Sequence, residues 1–231
     1  MLTKLKMLEN LRIHLVAIGF RWDWIDQSIN ESKADKFYLF KKAKEENKKA
    51  LIAEKKIREI LKKKRVQTEI VEYNSRDILD LLRKIKGILE KEKNNFIYIN
   101  VSAGPREVLI SLTLSSMLFK RASKGLKLYS MEDGHFTELP SFEVKLPGKE
   151  LVESMKFISS NSPCRKKDLL NHVFDKKILN INKDNIHNKY MKLNRSIVDK
   201  LKQWNFINID GNGKGSVINL TEEGENLIKF L

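Results

Sequence analysis

The sequence predicts an α/β fold with a mainly parallel sheet, followed by a smaller helical domain that carries a β-hairpin. Short apolar segments alternate with amphipathic helical segments from residue 12 to residue 139. A segment that contains two prolines, PSFEVKLPG at 140–148, ends this alternation, and helical segments follow it. Because 231 residues exceed the usual size of one domain, we place two domains at 1–140 and 149–231, joined by a linker at 141–148.

The predicted strands of the first domain are short runs of apolar and β-branched residues between turn formers. They lie at 12–19, 36–40, 68–72, 96–101, 126–129 and 136–139. The clearest is FIYINV at 96–101, which Asn94 and Asn95 precede and Gly104 follows. Because helices separate most of these strands, we expect parallel pairing in a three-layer, Rossmann-like sandwich.

Four helices are predicted between these strands, at 22–31, at 45–65, after residue 74 or 75, and from Pro105. Either Asn74 or Ser75 is a suitable N-cap for the third helix. One face of that helix carries Ile78, Leu82, Ile85 and Leu89. The fourth helix is apolar on most sides, so we expect it to be buried in the fold or at a subunit interface.

Ligands of doubly wound sheets bind beyond the carboxyl ends of the strands, where the strand order reverses. We expect the reversal to bring together the turns after the first and fourth strands, which contain Gly19 and Gly104. The helix N-terminus at Pro105, with Arg21 and Arg106, suits an anion such as a phosphate. An ordinary strand-to-helix turn with solvated arginines remains the alternative. No G-x-G-x-x-G or P-loop motif is present, which disfavours NAD and ATP chemistry.

The second domain has the element order of a winged helix-turn-helix: helix, helix, basic helix, hairpin, helix. We predict helices at 149–159 and 164–173, the second capped by Ser162 with Pro163 at its first position. A long connection at 174–184 follows, and the third helix begins between Asp184 and Asn194. Its inward stripe is predicted to contain Leu193, Ile197, Leu201 and Trp204.

The opposite face of this third helix is polar and basic, as expected of a helix that enters the major groove of DNA. It carries Lys192, Arg195, Ser196, Asp199 and Lys202. Lys214 lies at the tip of the following hairpin, where it could reach a phosphate. The alternative is a winged helix used only for protein contacts.

Composition and the remaining residues narrow the function further. The net charge of +15 favours polyanionic partners, although a lysine-rich solvated surface also accounts for it. Cys164 cannot form an internal disulfide, and the histidines lack ligand spacing, so we expect no metal site. His14 is interpreted as a packed residue, and Trp22 and Trp24 either stack on a base or attach the next helix to the sheet. With no signal peptide or transmembrane run, a cytoplasmic location is expected.

Three segments of the first domain, LVAIGFRWD, KADKFYLF and INVSAGPREVLISLTL, resemble the CARF domain of CRISPR-associated sensors. LNRSIVDKLKQWNFINI is similar to winged helices of bacterial and archaeal regulators. The whole chain most resembles archaeal CARF winged-helix transcriptional regulators, of the Csa-three type and its relatives outside CRISPR loci. The resemblance implies a homodimer that binds a cyclic oligoadenylate, such as cyclic tetra-adenylate, across its twofold axis. By resemblance, the ligand site contains Gly19, Phe20, Arg21, Asp23, Ser102, Ala103, Gly104, Pro105 and Arg106.

The resulting hypothesis is a transcription regulator without enzymatic activity or a cofactor, which senses a nucleotide second messenger and binds double-stranded operator DNA. The residues expected to contact DNA are Lys192, Arg195, Ser196, Lys202 and Lys214. No catalytic residue is assigned, because no general base lies near the second loop in sequence. The alternatives are a ring nuclease that degrades cyclic oligoadenylate, and a plain dimeric DNA-binding protein with no ligand.

Overall fold

The computed structural model describes residues 10–132, 135–176, 179 and 185–231. The chain forms two compact units, residues 1–145 and 146–231, called here the N-terminal and C-terminal domains. The N-terminal domain contains β1 (Arg12–Ala17), α1 (Trp24–Ser32), β2 (Lys36–Lys42), α2 (Lys48–Lys63), β3 (Gln67–Tyr73), α3 (Ile78–Lys91), β4 (Phe96–Asn100), α4 (Arg106–Leu118), β5 (Gly125–Glu132) and β6 (His135–Leu139).

The six strands form one sheet in the order β3-β2-β1-β4-β5-β6. The first five are parallel, as predicted, and β6 pairs antiparallel with β5. The strand order reverses between β1 and β4, which are direct neighbours. The carboxyl ends of β1 and β4 therefore meet at one edge of the sheet, where the sequence places its candidate ligand loops.

Alternate residues of the strands pack into two separate apolar cores, one on each face of the sheet. On one face, Ile13, Leu15 and Ile99 pack with α3 and α4. On the other face, Val16 and Leu39 pack with α1 and α2. The predicted three-layer sandwich is confirmed.

The beginning of α3 differs from the prediction. The N-cap is Asp77, whose side chain accepts a hydrogen bond from the backbone N–H of Asp80 at 2.8 Å. Asn74 instead accepts from the N–H of Arg76 in the preceding turn. Because the helix begins only at Ile78, that side chain lies at its first position and is 45% exposed rather than part of the buried stripe.

His14 is a packed residue, as interpreted from the sequence. It is fully buried in the middle of β1, with Nδ1 2.8 Å from Tyr129 Oη and Nε2 2.9 Å from Ser32 Oγ. Burial lowers the pKa of His14 to about 3, so the ring is neutral at physiological pH. The imidazole therefore joins α1 to the middle of the sheet.

The C-terminal domain has the element order of a winged helix, and this prediction is confirmed. It contains α5 (Lys149–Ser160), β7 (Cys164–Arg165), α6 (Lys166–Asp175), α7 (Ile186–Leu193), a π-turn (Asn194–Val198), α8 (Asp199–Gln203), β8 (Ile207–Asp210), β9 (Val217–Leu220) and α9 (Glu222–Phe230). The strands form an antiparallel sheet in the order β7-β9-β8. Most of the connection predicted at 174–184 lies outside the described residues.

Two local predictions in this domain are wrong. Ser162 does not cap α6, because Cys164 and Arg165 pair with β9 and delay the helix to Lys166. The Ser162 hydroxyl donates to Asn219 Oδ1 instead, at 3.2 Å. Trp204 is 42% exposed, because α8 ends one residue before it and the chain then turns into β8.

No helix in the described part of the chain is both long enough and apolar enough to cross a lipid bilayer.

Candidate functional site

The turns after β1 and β4 touch each other through two glycines. A Cβ atom added to Gly19 would lie 2.9 Å from the Cα of Gly104, so any side chain there would collide with the second turn. Gly104 has a φ of +143°, and a Cβ added there would lie 2.3 Å from the Cβ of Ala17. Both positions therefore require glycine, and the predicted convergence of the two turns is present.

A cavity of about 300 Å³ lies where these turns meet. Its lining contains Ile18, Gly19, Phe20, Arg21, Glu45, Asn47, Ala50, Ala103, Gly104 and Pro105. We call it the glycine cavity. Of the site residues predicted from sequence, Asp23, Ser102 and Arg106 lie outside this lining. Phe20 is 62% exposed, so its ring is accessible to a ligand at the cavity mouth.

Arg21 is held by a neighbouring carboxylate. Its guanidinium donates two hydrogen bonds to Asp23, from Nε at 3.1 Å and from Nη2 at 2.5 Å. The same guanidinium lowers the pKa of Asp23, so the pair is ionised at neutral pH. The charge that Arg21 offers to an anion is therefore partly compensated, while the position of its guanidinium is fixed.

Ser102 links β4 to β5. Its Oγ accepts a hydrogen bond from the backbone N–H of Met131 at 2.6 Å, and its own N–H donates to Asn100 Oδ1 at 2.8 Å. This side chain fixes the turn in which Gly104 lies.

The N-terminus of α4 is a second feature beside the cavity that suits an anion. Its N-cap is Pro105, which makes no side-chain cap, whereas Asn47 caps α2 through the N–H of Lys49 at 2.9 Å. The Pro105 carbonyl accepts from the N–H groups of Val108 and Leu109. The backbone N–H groups of Arg106 and Glu107 come before these two in the helix. Together with the exposed Arg106 side chain, they form an electropositive helix end beside the cavity.

Sequence reasoning missed the contribution of the connection between β2 and α2. Glu45, Asn47 and Ala50 line the cavity because β2 is parallel to β1 and ends at the same edge of the sheet. Glu45 Oε1 accepts from the backbone N–H of Asn47 at 2.8 Å, which orients this carboxylate. The predicted parallel sheet was the signal that could have indicated these residues. If β2 lies beside β1, the loop after β2 must reach the edge of the sheet where the glycine cavity lies. In the described ranges, His, Cys, Asp and Glu side chains form no cluster of three that could hold a metal ion.

The two tryptophans after β1 have structural positions. Trp24 is 3% exposed, and its indole N–H donates to the carbonyl of Arg21 at 3.1 Å. Trp22 is half-buried beneath Lys56, whose Nζ lies 4.2 Å from a ring centroid. The interpretation that these residues attach α1 to the sheet is supported for Trp24.

The predicted DNA-binding helix is continuous from Ile186 to Gln203 through α7, the π-turn and α8. We call this helix, residues 186–203, the recognition helix. Leu193, Ile197 and Leu201 are fully buried, as predicted from their spacing. The residues with exposed side chains on the other side include Lys192, Arg195, Asp199 and Lys202, and Ser196 is half-buried. The predicted basic face is therefore accessible within the C-terminal domain.

The wing approaches the first half of the recognition helix. Lys214 lies in the turn Gly213–Gly215 between β8 and β9, and it is exposed. Its Nζ is 5.6 Å from the ring centroid of Tyr190, in α7. Gly211 and Gly213 have φ angles of +81° and +73°, which let the chain fold back in this way. The exposed wing lysine therefore lies beside α7, the first part of the recognition helix.

Comparisons with known proteins agree with both domains. The family model described as "HFX_2341_N:-like, N-terminal" matches residues 12–133, and the "DUF6293 C-terminal winged helix domain" matches residues 150–231. The "Uncharacterized protein MJ1513" of Methanocaldococcus jannaschii is 33% identical over 136 residues, which cover 54% of this chain and 40% of that relative.

Two solved structures share features of the fold at low sequence identity. Csm6 of Enterococcus italicus, bound to cyclic hexa-2'-fluoro-hexa-dAMP, has a TM-score of 0.44 and 14% identity, over 86% of this chain and 57% of its own. Can2 of Sulfobacillus thermosulfidooxidans, in complex with cyclic tetra-adenylate, has a TM-score of 0.41 and 11% identity, over 95% of this chain and 63% of its own. The chain thus spans less than two thirds of each.

The sheet topology and the family models together define a two-domain protein in which a Rossmann-like α/β domain precedes a winged helix domain. The chain belongs to the HFX_2341-like family, whose N-terminal model covers the first five strands of the sheet, β1 to β5. The predicted architecture, an α/β domain followed by a winged helix domain, is confirmed.

Proposed function

We propose that the chain is a ligand-gated transcription regulator that binds an anionic nucleotide in its N-terminal domain and duplex DNA with its winged helix. The observation that carries the proposal is the basic, exposed face of the recognition helix on a winged helix domain. An apolar-backed helix with outward Arg and Lys side chains suits the major groove, where these side chains bond to base edges and phosphates.

The ligand that we propose for the glycine cavity is a cyclic oligoadenylate, with cyclic tetra-adenylate as the first candidate. Three features support a phosphate-containing ligand: backbone without side chains at Gly19 and Gly104, the α4 N-terminus beside the cavity, and two arginines, Arg21 in the lining and Arg106 at that helix end. The choice of a cyclic oligoadenylate rests on the resemblance of the two loop segments to the CARF domain.

Gating requires that ligand binding change the spacing of two DNA-binding surfaces. We propose that these surfaces belong to the two subunits of a homodimer. An apolar strip on α4 supports this assembly. Ile110 is 54% exposed and Leu114 is 41% exposed, one turn apart on the helix whose N-terminus borders the glycine cavity. A contact between two copies through this strip would place two cavities near the symmetry axis, where a cyclic ligand could meet both.

Replacing Arg106 with alanine should weaken the binding of cyclic tetra-adenylate about tenfold, because a charge-assisted hydrogen bond contributes about 1.5–3 kcal/mol. Isothermal titration calorimetry on the full chain measures this change. The thermal midpoint should stay that of the wild type, since the Arg106 side chain is exposed.

Arg83→Ala is the matched control, because Arg83 is an exposed arginine within α3. Its affinity for the ligand should equal that of the wild type. Wild-type protein that does not bind cyclic tetra-adenylate, or an Arg106→Ala variant with unchanged affinity, would contradict the proposed ligand site. Ligand binding that leaves the affinity for DNA unchanged would contradict the gating.

A ring nuclease is the second candidate function, and Glu45 is the observation in its favour. This carboxylate lines the glycine cavity and is oriented by the N–H of Asn47, so it is a possible general base. We place this function second because the Ser102 hydroxyl, which could otherwise position a ribose hydroxyl of the ligand, already accepts a hydrogen bond from the backbone N–H of Met131. Cyclic tetra-adenylate recovered intact after prolonged incubation with the protein agrees with a sensor, whereas linear products indicate an enzyme.

Replacing Lys214 with alanine should weaken binding to all duplex DNA sequences by a similar factor, because a lysine at the wing reaches phosphates rather than bases. The slope of log K against log salt concentration is negative, and its magnitude should become smaller by about 1. Fluorescence anisotropy over a salt series, with two unrelated duplexes, measures both effects. A change confined to one of the duplexes would indicate that Lys214 reads bases instead.

A further inference from the structure

Among the residues that the structure describes, one face of the sheet is only partly covered. On the side that faces α1 and α2, the apolar core includes Tyr129 and Met131 from the carboxyl half of β5. In the neighbouring strand β4, Phe96 is 37% exposed and Tyr98 is half-buried. Phe96, Tyr98, Lys127 and Phe136 lie on this side, and we call the surface that they form the open sheet face.

Strand register places these side chains next to one another. Tyr98 is the cross-strand partner of Lys127, and Phe96 is the partner of Gly125. A Cβ added to Gly125 would lie 3.0 Å from the ring of Phe96, so the ring extends over the glycine backbone. Tyr98 stacks on His14 at 4.9 Å between ring centroids, with an interplanar angle of 5°, which fixes its ring.

Two cavities adjoin along this face. One, of about 740 Å³, is lined in part by Phe96, Tyr98 and Lys127. The other, of about 320 Å³, is lined in part by Tyr98, Lys127 and Phe136. Tyr98 and Lys127 border both cavities, so they lie between two concave regions of this face, with Phe96 in one lining and Phe136 in the other.

Basic side chains outnumber acidic ones around this surface. The cavity linings contain Arg12, Lys33, Lys120 and Lys127 against Glu31 and Glu138. Lys124 also approaches, with Nζ 5.4 Å from the centroid of Phe96. Glu138 forms an ion pair with Lys127 at 2.7 Å, which partly compensates that lysine. The other cations around the aromatic rings still outnumber the remaining carboxylate, Glu31. The electrostatic character therefore matches a polyanion.

We infer that the open sheet face binds single-stranded nucleic acid, with nucleobases stacked on Phe96 and Tyr98 and phosphates near Arg12 and Lys127. Aromatic rings at alternate positions of one strand, flanked by cations, offer stacking without sequence preference. Base-paired duplexes cannot use such rings, because their bases are already stacked. This site is distinct from the glycine cavity, which lies at the carboxyl ends of the strands.

Phe96→Ala should weaken the binding of a short fluorescein-labelled oligouridine to the full chain about tenfold, since each stacked base contributes about 1–3 kcal/mol. The more conservative Phe96→Leu variant, which keeps an apolar side chain but removes the aromatic ring, should also weaken it. Lys127→Ala should reduce the salt slope by about 0.7. Anisotropy in the presence of excess unlabelled duplex DNA measures these changes while the winged helix is occupied.

Ile52→Ala and Lys55→Ala are matched controls, because both side chains are exposed on α2. They and Arg195→Ala should bind oligouridine as the wild type does. Three results would overturn the inference: no binding by the wild type, equal loss in Phe96→Ala and Ile52→Ala, or loss in Arg195→Ala but not in Phe96→Leu. A change of oligomeric state in Phe96→Leu, without binding of oligouridine by the wild type, would assign the face to a second copy of the chain instead.

Discussion

Replacing Gly104 with alanine is expected to lower the free energy of unfolding of the N-terminal domain by about 3 kcal/mol. Two costs add in the same direction. A φ of +143° is strained for any residue with a Cβ, and the new methyl group would lie 2.3 Å from the Cβ of Ala17. Urea unfolding followed by circular dichroism measures the change.

Gly87→Ala is the control for this prediction. Gly87 lies within α3, and a Cβ added there meets no atom within 4 Å. Alanine there should therefore stabilise the domain by about 0.5–1 kcal/mol. If Gly104→Ala unfolded at the same urea concentration as the wild type, the close contact of the two turns would be refuted.

Replacing Arg195 with alanine is expected to weaken binding to a preferred duplex by about 5- to 150-fold and to relax preference at one base position. An arginine that bonds to a base edge contributes about 1–3 kcal/mol of discrimination. The preferred duplex is obtained by selection from a random library with the wild-type protein, and anisotropy then compares the variants.

Lys229→Ala is the matched control, since Lys229 is a basic residue on α9, which packs on α5 and β9. Its affinity for the selected duplex should remain that of the wild type. Equal losses in both variants would indicate that net charge alone determines binding. Failure of the wild type to select any duplex would argue that the winged helix serves protein contacts.

The sequence was sufficient for the architecture because the relevant signals are local. A strand buried on both faces needs a mainly apolar run, as at 15–17 and 37–40, and an amphipathic helix needs a stripe, as at Leu193, Ile197 and Leu201. The position of the glycine cavity also followed, since the strand-order reversal of a doubly wound sheet lies at a predictable place.

Element boundaries were less predictable, because several residues can satisfy the same local rule. Asn74, Ser75 and Asp77 are all possible caps for α3, and only packing of the helix against the sheet selects Asp77. Similarly, Ser162 and Pro163 form a suitable helix start, but the pairing of β7 with β9 uses the next two residues. Tertiary pairing overrides capping preference at this position.

The composition of the glycine cavity depended on contacts between distant parts of the chain. Glu45 and Asn47 enter it because β2 lies beside β1, and Ser102 bonds to Met131 because β5 lies beside β4. Sequence periodicity describes which side of an element is apolar, but it contains no information on which loops become neighbours.

The amino-acid order by itself determined the two domains, their element types, the glycines at the edge of the sheet and the basic helix. Only the tertiary structure decided that Arg21 is paired with Asp23, that Lys214 folds toward Tyr190, and that the Phe96 ring of β4 remains exposed. The physical reason is range: helix and strand formation depends on neighbours within a few residues, whereas charge compensation and exposure depend on which surfaces the whole fold brings into contact.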